Sequence, residues 1–391
     1  MRFLFNRFTA AALGLLMVGL SVSCGNAGST LDYGPYPTHR IDGDYDDQPS
    51  RARGILAESL RLGERVVQAS DIDPDLTVGR GGGPLADHHG VIAGVLSGPQ
   101  GVALEKFDVV AGFSALAASK PYADGNRQEK FLAVSLIAFP DDQTAAAAAR
   151  DMAREDFETV EQNTPVTLDG YPQALNHWQP GVPTVGSWLA WKSLVIRILA
   201  QLPEPDLDRL TDMVARTYQL QLAELESFTA TSVGDIPTLP LDPDKLLPRL
   251  VKTGDYAPDD YTFAIYGPRA FAVMIDNPAA EIQEFEARGV TAVGVSHNKF
   301  LYRTRDSAAA AGLSVYLDGK RGQSEYVPMR GVRNLPSVTC SQATVPSPSL
   351  EARRFRCIVV RGDLVAQLYS NQETNIRWMA AAQYAVMADA R

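Results

Sequence analysis

The sequence predicts an α+β fold made of two similar domains. Each is expected to be an antiparallel sheet with helices packed on one face, after a cleaved signal peptide and a polar tether. Three observations predict it. Strand-like runs come in pairs, as hairpins do, and are mixed with long amphipathic helices. The order of these signals is similar in the two halves. Between them, Gly234 to Gly254 carries Pro237, Pro240, Pro243 and Pro248, a density that breaks regular elements. The length of 391 residues, 45% of them hydrophobic and 21% charged, allows two domains with a core each.

The chain begins with Arg2 and Arg7, an apolar run from Ala10 through Val22, and the small residues Ser21-Val22-Ser23 before Cys24. This is the layout of a secretory signal peptide over 1–23, with too few apolar residues for a comfortable membrane span. A thiol at the cleavage point resembles the bacterial lipobox, whose cysteine receives a diacylglyceryl group. Ser21 stands where that motif commonly has Leu, and Leu20 lies one place further back. Lipidation of Cys24 is the expectation, with plain secretion as the alternative. Residues 24–50 are polar and read as a tether.

The amino-terminal domain is assigned to 51–232. A helix is expected from Arg51 to Val67, with Ile55, Leu56, Leu60, Leu62 and Val66 on its apolar face. Gly79-Arg80-Gly81-Gly82-Gly83-Pro84 reads as a flexible loop. A helix from Pro99 to Phe107 and an apolar run from Val109 to Ala118 follow. Lys130-Phe131-Leu132 begins another strand, and Asp141 and Asp142 cap an alanine-rich helix. Trp191 to Leu199 is strand-like. Last comes a helix with the stripe Leu207, Leu210, Val214 and Thr217, widened by Met213 and Leu220.

After the linker 233–254, the carboxy-terminal domain 255–391 runs through comparable signals. Pro278 opens a helix ending at Arg288, and Val290 to Val295 is a strand. Lys299-Phe300-Leu301 begins the next strand, and Asp306 caps a second alanine-rich helix. Ile358 to Leu368 is strand-like, and Ile376, Met379, Gln383 and Met387 line a final helix. Two copies of such a pattern read as a duplication, with chance likeness between two α+β domains as the alternative.

Chemistry is harder to find. Gly294-Val295-Ser296-His297-Asn298 lacks the second glycine of a nucleophile elbow and falls at an expected hairpin turn. The glycine-rich segment 79–84 lacks the Lys and Ser/Thr of a phosphate loop, so no cofactor is expected. Counted as EF-hand loops, Asp42 to Arg53 and Asp71 to Gly82 lack Gly at the sixth place and Glu at the twelfth. Asp87-His88-His89 is one short cluster without further ligands nearby, so no metal site is expected either. Thirty-six basic against 46 acidic residues, a net charge of −10, argue against a nucleic-acid partner. One segment runs the other way. Arg353, Arg354, Arg356 and Arg361 lie in a basic stretch, and alternation puts Arg354 and Arg356 on one strand face, a candidate docking surface for an anionic partner. The ordinary wet face of a sheet is the alternative. With Cys24 set aside, Cys340 and Cys357 form an even pair expected to be a disulfide in an exported protein, with two buried free thiols as the alternative.

Leu31-Asp32 with Tyr36-Pro37-Thr38, the Arg51 to Val67 helix and Asp73-Pro74 resemble a family of actinobacterial cell-envelope lipoproteins of unknown function, found in mycobacteria and nocardiae and described as two related domains. The resemblance implies lipid anchoring at the outer face of the cytoplasmic membrane and a noncatalytic envelope role. It brings no active site. The expected function is therefore a binding or interaction module for an envelope lipid, glycolipid or protein, and no catalytic residue is assigned. An envelope hydrolase with dispersed catalytic groups, or a purely structural spacer, is the alternative.

Overall fold

The structure is a computed structural model that describes residues 31–40, 50–85, 95–121, 128–253, 263–319, 326–344 and 353–388. From Asp32 onward these residues form one compact unit. Cys24, Asp42 to Asp47 and Asp87-His88-His89 lie outside the described residues.

The first half contains α1 (Arg51–Gly63), α2 (Ala69–Ile72), β1 (Val78–Pro84), α3 (Gly98–Leu104), β2 (Ala111–Ala118), β3 (Phe131–Ala138) and α4 (Asp142–Phe157). It continues through β4 (Thr164–Val166), β5 (Leu175–Trp178), β6 (Thr184–Trp191), β7 (Leu194–Gln201) and α5 (Leu207–Leu225). The second half contains β8 (Phe263–Tyr266), α6 (Pro268–Ala272), α7 (Pro278–Ala287), β9 (Val290–Ser296), β10 (Lys299–Thr304) and α8 (Ser307–Gly319). It closes with β11 (Tyr326–Met329), β12 (Val338–Ala343), β13 (Phe355–Arg361), β14 (Leu364–Ser370) and α9 (Glu373–Ala388).

Each half folds into a seven-stranded antiparallel sheet. The first runs β1-β2-β3-β7-β6-β5-β4, and the second, read from its other edge, runs β8-β9-β10-β14-β13-β12-β11. Every strand thus has a counterpart seven places later, in the same position of its sheet. The likeness extends to single residues. Asp141 and Asp306 cap α4 and α8, accepting from Thr144 N at 2.7 Å and Ala309 N at 2.8 Å. The edge strands β4 and β11 carry Pro165 opposite His177 and Pro328 opposite Ser341. A proline there withholds an N–H from any further strand. Asn176 faces Ser187 across β5 and β6 in the register in which Cys340 faces Cys357 across β12 and β13.

A glutamine on the last helix of each half makes the same clamp. Gln221 Oε1 accepts from Val67 N at 3.0 Å while Gln221 Nε2 donates to Arg65 O at 2.7 Å. Gln383 Oε1 accepts from Val251 N at 2.8 Å and its Nε2 donates to Arg249 O at 2.7 Å. Both glutamines are fully buried, so each amide supplies the partners that these two backbone groups would otherwise lack.

Several expectations are corrected. Helices cover both faces of each sheet. In the first half α3 and α4 pack on Ile137, Trp188 and Val195, while α1 and α5 pack on Leu136, Leu189 and Ile196. Strand β3 is buried along nearly its whole length, so both its faces need cover and its sequence reads as a continuous apolar run. The segment Gly79–Pro84 lies in strand β1. Its pairing with β2 shifts between Gly79 and Gly82, and a Cβ on Gly82 (φ +135°) would stand 2.2 Å from Ser114 O. Backbone pairing therefore makes a strand from residues that have almost no side chains. The runs Trp191 to Leu199 and Ile358 to Leu368 each hold a hairpin turn, at Lys192-Ser193 and Gly362-Asp363. Helix α1 ends at Gly63, four residues earlier than expected, and the backbone of Arg65 and Val67 passes to the Gln221 clamp.

The halves share one core. Leu56 and Phe113 of the first belong to the same buried cluster as Tyr266, Phe271 and Val293 of the second. Glu64 accepts from Ala270 N at 2.7 Å, and Arg269 reaches Val66 O and Glu224. The Pro-rich connection holds 3₁₀ turns at Ile236–Thr238 and Leu247–Arg249 and buries Ile236, Leu246, Leu247 and Val251.

Candidate functional site

Each glutamine clamp holds the incoming chain against the last helix, whose start lies close to where the last strand ends. A pocket opens there in both halves. In the second half it has a volume of about 280 Å³ and is lined by Tyr36, Thr253, Asn298, Ser370, Asn371 and Asn375. Met379 supplies an apolar side. In the first half a pocket of about 270 Å³ is lined by Asp73, Arg209, Asp212 and Arg216, with Ile72, Leu202 and Met213. The two correspond. Asn375 and Met213 each stand eight residues before their clamp glutamine, on the last helix of their half.

The second-half pocket gathers residues from four distant segments. Tyr36 Oη donates to Asn375 Oδ1 at 2.6 Å, and Asn375 Nδ2 donates to Ser370 Oγ at 3.1 Å. Ser370 Oγ also accepts from Gln372 N at 3.2 Å. Asn298, in the two-residue turn between β9 and β10, donates from Nδ2 to Tyr369 O at 2.6 Å. Behind Thr253, buried Lys299 donates from Nζ to Thr253 Oγ1 at 2.7 Å, and burial pushes its pKa down to about 8. Tyr36 is brought there by residues 32–38, which dock on α9. The Asp32 carboxylate, held below the usual range, accepts from Gly34 N and the Trp378 side chain. Gly34 (φ +54°) lies so close to the Trp378 ring that a Cβ would stand 2.5 Å away. Part of the stretch read as a tether is therefore folded structure.

A second polar cluster lies under α3 and α4. Asp156 Oδ1 accepts from Ser97 Oγ and Gln100 Nε2, each at 2.6 Å, and Oδ2 pairs with His177 Nε2 at 3.1 Å. Burial opposes the charge on Asp156, but these hydrogen bonds and His177 hold its pKa down to about 2. His177 stacks on Trp188, ring centroids 5.3 Å apart. Arg197, paired in register with Ser135 and Trp188, is buried on the same sheet face; burial pulls it down to about 10, against the pull of Asp156. Arg197 Nε, Ser135 Oγ and Trp188 Nε1 have no hydrogen-bond partner among the described residues.

The residues singled out from sequence scatter. Cys340 and Cys357 are joined, Cα atoms 4.1 Å apart, on adjacent strands. Arg356 is not at the surface. It is 2% exposed and bonds to Ser341 Oγ, Leu317 O and Asp318. Arg353 and Arg354 are exposed and precede β13, while Arg361 lies over the Tyr384 ring on α9, across the sheet from Arg356. Arg354 and Arg356 therefore form no common exposed surface. Asp73 and Asp75 both bind Lys130 Nζ, at 2.6 and 2.7 Å. Ser296 is buried and His297 sits in the turn at φ +54°. Among the described residues no three His, Cys, Asp or Glu converge as metal ligands, and no helix is long and apolar enough to cross a membrane. Nothing in the sequence marked Ser370, Asn371 or Asn375, because their neighbours are set by strand order.

Comparison with known proteins accounts for nearly all of this architecture. Residues 45–241 match the domain described as "Domain of unknown function (DUF7373) N-terminal", and residues 246–390 its C-terminal counterpart. The chain belongs to the DUF7373 family. The two matched DUF7373 regions meet inside the Pro-rich connection and contain one sheet each. No curated protein matches this chain. Among solved structures, the extracellular domain of PknH from Mycobacterium tuberculosis is 11% identical and covers 46% of this DUF7373 chain and 100% of its own. Its TM-score is 0.30, too low to support an argument about fold or function.

Proposed function

We propose that this DUF7373 protein is exported, held at the outer face of the cytoplasmic membrane by acyl groups on Cys24, and acts as a noncatalytic binding module. The disulfide between Cys340 and Cys357 carries the reading, because such bonds persist in oxidising compartments and are rare in the cytosol. It agrees with the leader and Cys24 at the start of the chain. The larger pockets favour a polar ligand over an acyl chain. An apolar hollow between α2, β2, β3 and α7, lined by Leu76, Ala117, Leu132 and Val273, has room for only about 30 Å³, close to one water. The arginine segment supports docking less well, since Arg356 is buried.

Metabolic labelling with tritiated palmitate tests the anchor. Label on the wild-type chain in the membrane fraction, absent from Cys24→Ala, is the expected result. Unlabelled protein recovered from the cytosol with its leader intact would overturn the reading.

A further inference from the structure

We infer that the pocket between β14 and α9 binds a neutral sugar ring through its hydroxyl groups. The inference rests on the protein being a binding module and adds the chemistry of what it binds. The lining offers Asn298, Ser370, Asn371, Asn375, Thr253 and Tyr36, with no charged side chain among them. The corresponding pocket of the first half is built on the same scaffold yet keeps Arg209, Asp212 and Arg216. On the last helix, Met213 of the first half stands where Asn375 does in the second, eight residues before the clamp glutamine. Charge is thus a property of the particular pocket and not of the fold.

The hydrogen bonds within the lining define what is left for a ligand. Asn298 gives one of its two Nδ2 hydrogens to Tyr369 O, so the other hydrogen remains as a donor and Oδ1 as an acceptor. Ser370 Oγ already accepts from Asn375 and from Gln372 N, so its O–H remains as a donor. The Asn371 amide, exposed and without a hydrogen bond among the described residues, offers both. An anion would use only the donors and a cation only the acceptors. A sugar hydroxyl donates and accepts at once and matches the mixed set. Met379 and the Tyr36 ring give apolar contact for C–H groups. A volume of about 280 Å³ lies at the small end of ligand pockets and suits one ring. For about a dozen heavy atoms at ordinary ligand efficiency, binding falls in the millimolar range.

Saturation-transfer NMR tests this on the full chain in a non-glycosidic detergent, with glucose, galactose, mannose and maltose as probes. A second arm measures sedimentation of the Cys24→Ser chain with phosphatidylcholine vesicles, with and without monogalactosyldiacylglycerol. Transfer to a free sugar identifies a soluble saccharide, and galactolipid-dependent sedimentation alone identifies a lipid headgroup. Asn371→Ala should weaken the signal at least fivefold and Asn371→Trp should abolish it. Arg209→Ala, in the other pocket, should leave it unchanged. Silence in both arms, or binding that survives Asn371→Trp in a folded chain, would overturn the inference. Absence of palmitate on Cys24 would not touch it, so the two readings fail separately.

Discussion

Replacing the clamp glutamines by leucine tests whether the duplication is energetic as well as geometric. Gln383→Leu keeps the side-chain volume close but removes the partners of Val251 N and Arg249 O. Val251 is fully buried, so its N–H loses a partner where water does not reach, at a cost of about 1–3 kcal/mol. Arg249 O, on a half-buried residue, can turn partly to solvent and adds about 0.5–1 kcal/mol. Burying leucine in place of an amide returns part of this, leaving a loss of about 2 kcal/mol. Gln221→Leu should cost about the same, because Val67 is 5% exposed and the bond lengths differ by no more than 0.2 Å. Urea unfolding at unchanged m-value reads the global loss, and amide exchange at Val67 and Val251 reads each clamp locally. A variant whose midpoint and amide protection both match wild type would refute the role assigned to the clamp.

Three further outcomes are expected. Asp156 has a folded-state pKa of about 2, below its ordinary 3.8, so its charge stabilises the fold above about pH 4 and that contribution fades as the pH falls toward 2. Allowing for solvent screening it amounts to about 1–2 kcal/mol, and Asp156→Asn should flatten urea midpoints measured from pH 2 to 5. Asp156→Ala should cost about 3 kcal/mol by removing the carboxylate that stabilises the charge of buried Arg197, and Arg197→Met added to it should recover part of the loss in thermal unfolding. The pair Asn176→Cys with Ser187→Cys should close a disulfide in the first half, since these residues are in register where Cys340 and Cys357 are in the second. Peptide mapping without reductant checks it, and two freely alkylated thiols would count against the equivalence.

Much of the chain was legible because its signals are local. Asp141 and Asp306 announce helix starts, and the stripe of Leu210, Val214 and Thr217 announces a buried helix face. The repeated order of such signals marks two α+β domains. Gly79–Pro84 reads as a loop because a glycine-rich strand has no side-chain pattern, and pairing with β2 makes it one. Residues 32–38 read as tether because their docking depends on Trp378 and Asn375, more than three hundred residues away.

By itself the sequence determined the presence of two related α+β domains and the one pairing open to Cys340 and Cys357, since each rests on neighbouring residues or on a count. Tertiary structure alone decided that helices cover both faces of each sheet, that the halves share a core and that Arg356 is buried. It also decided that one pocket is charged and its counterpart lined by amides and hydroxyls. Those outcomes depend on which strand lies beside which. Side-chain alternation tells which residues share a face of a strand, but only long-range pairing decides what lies against that face.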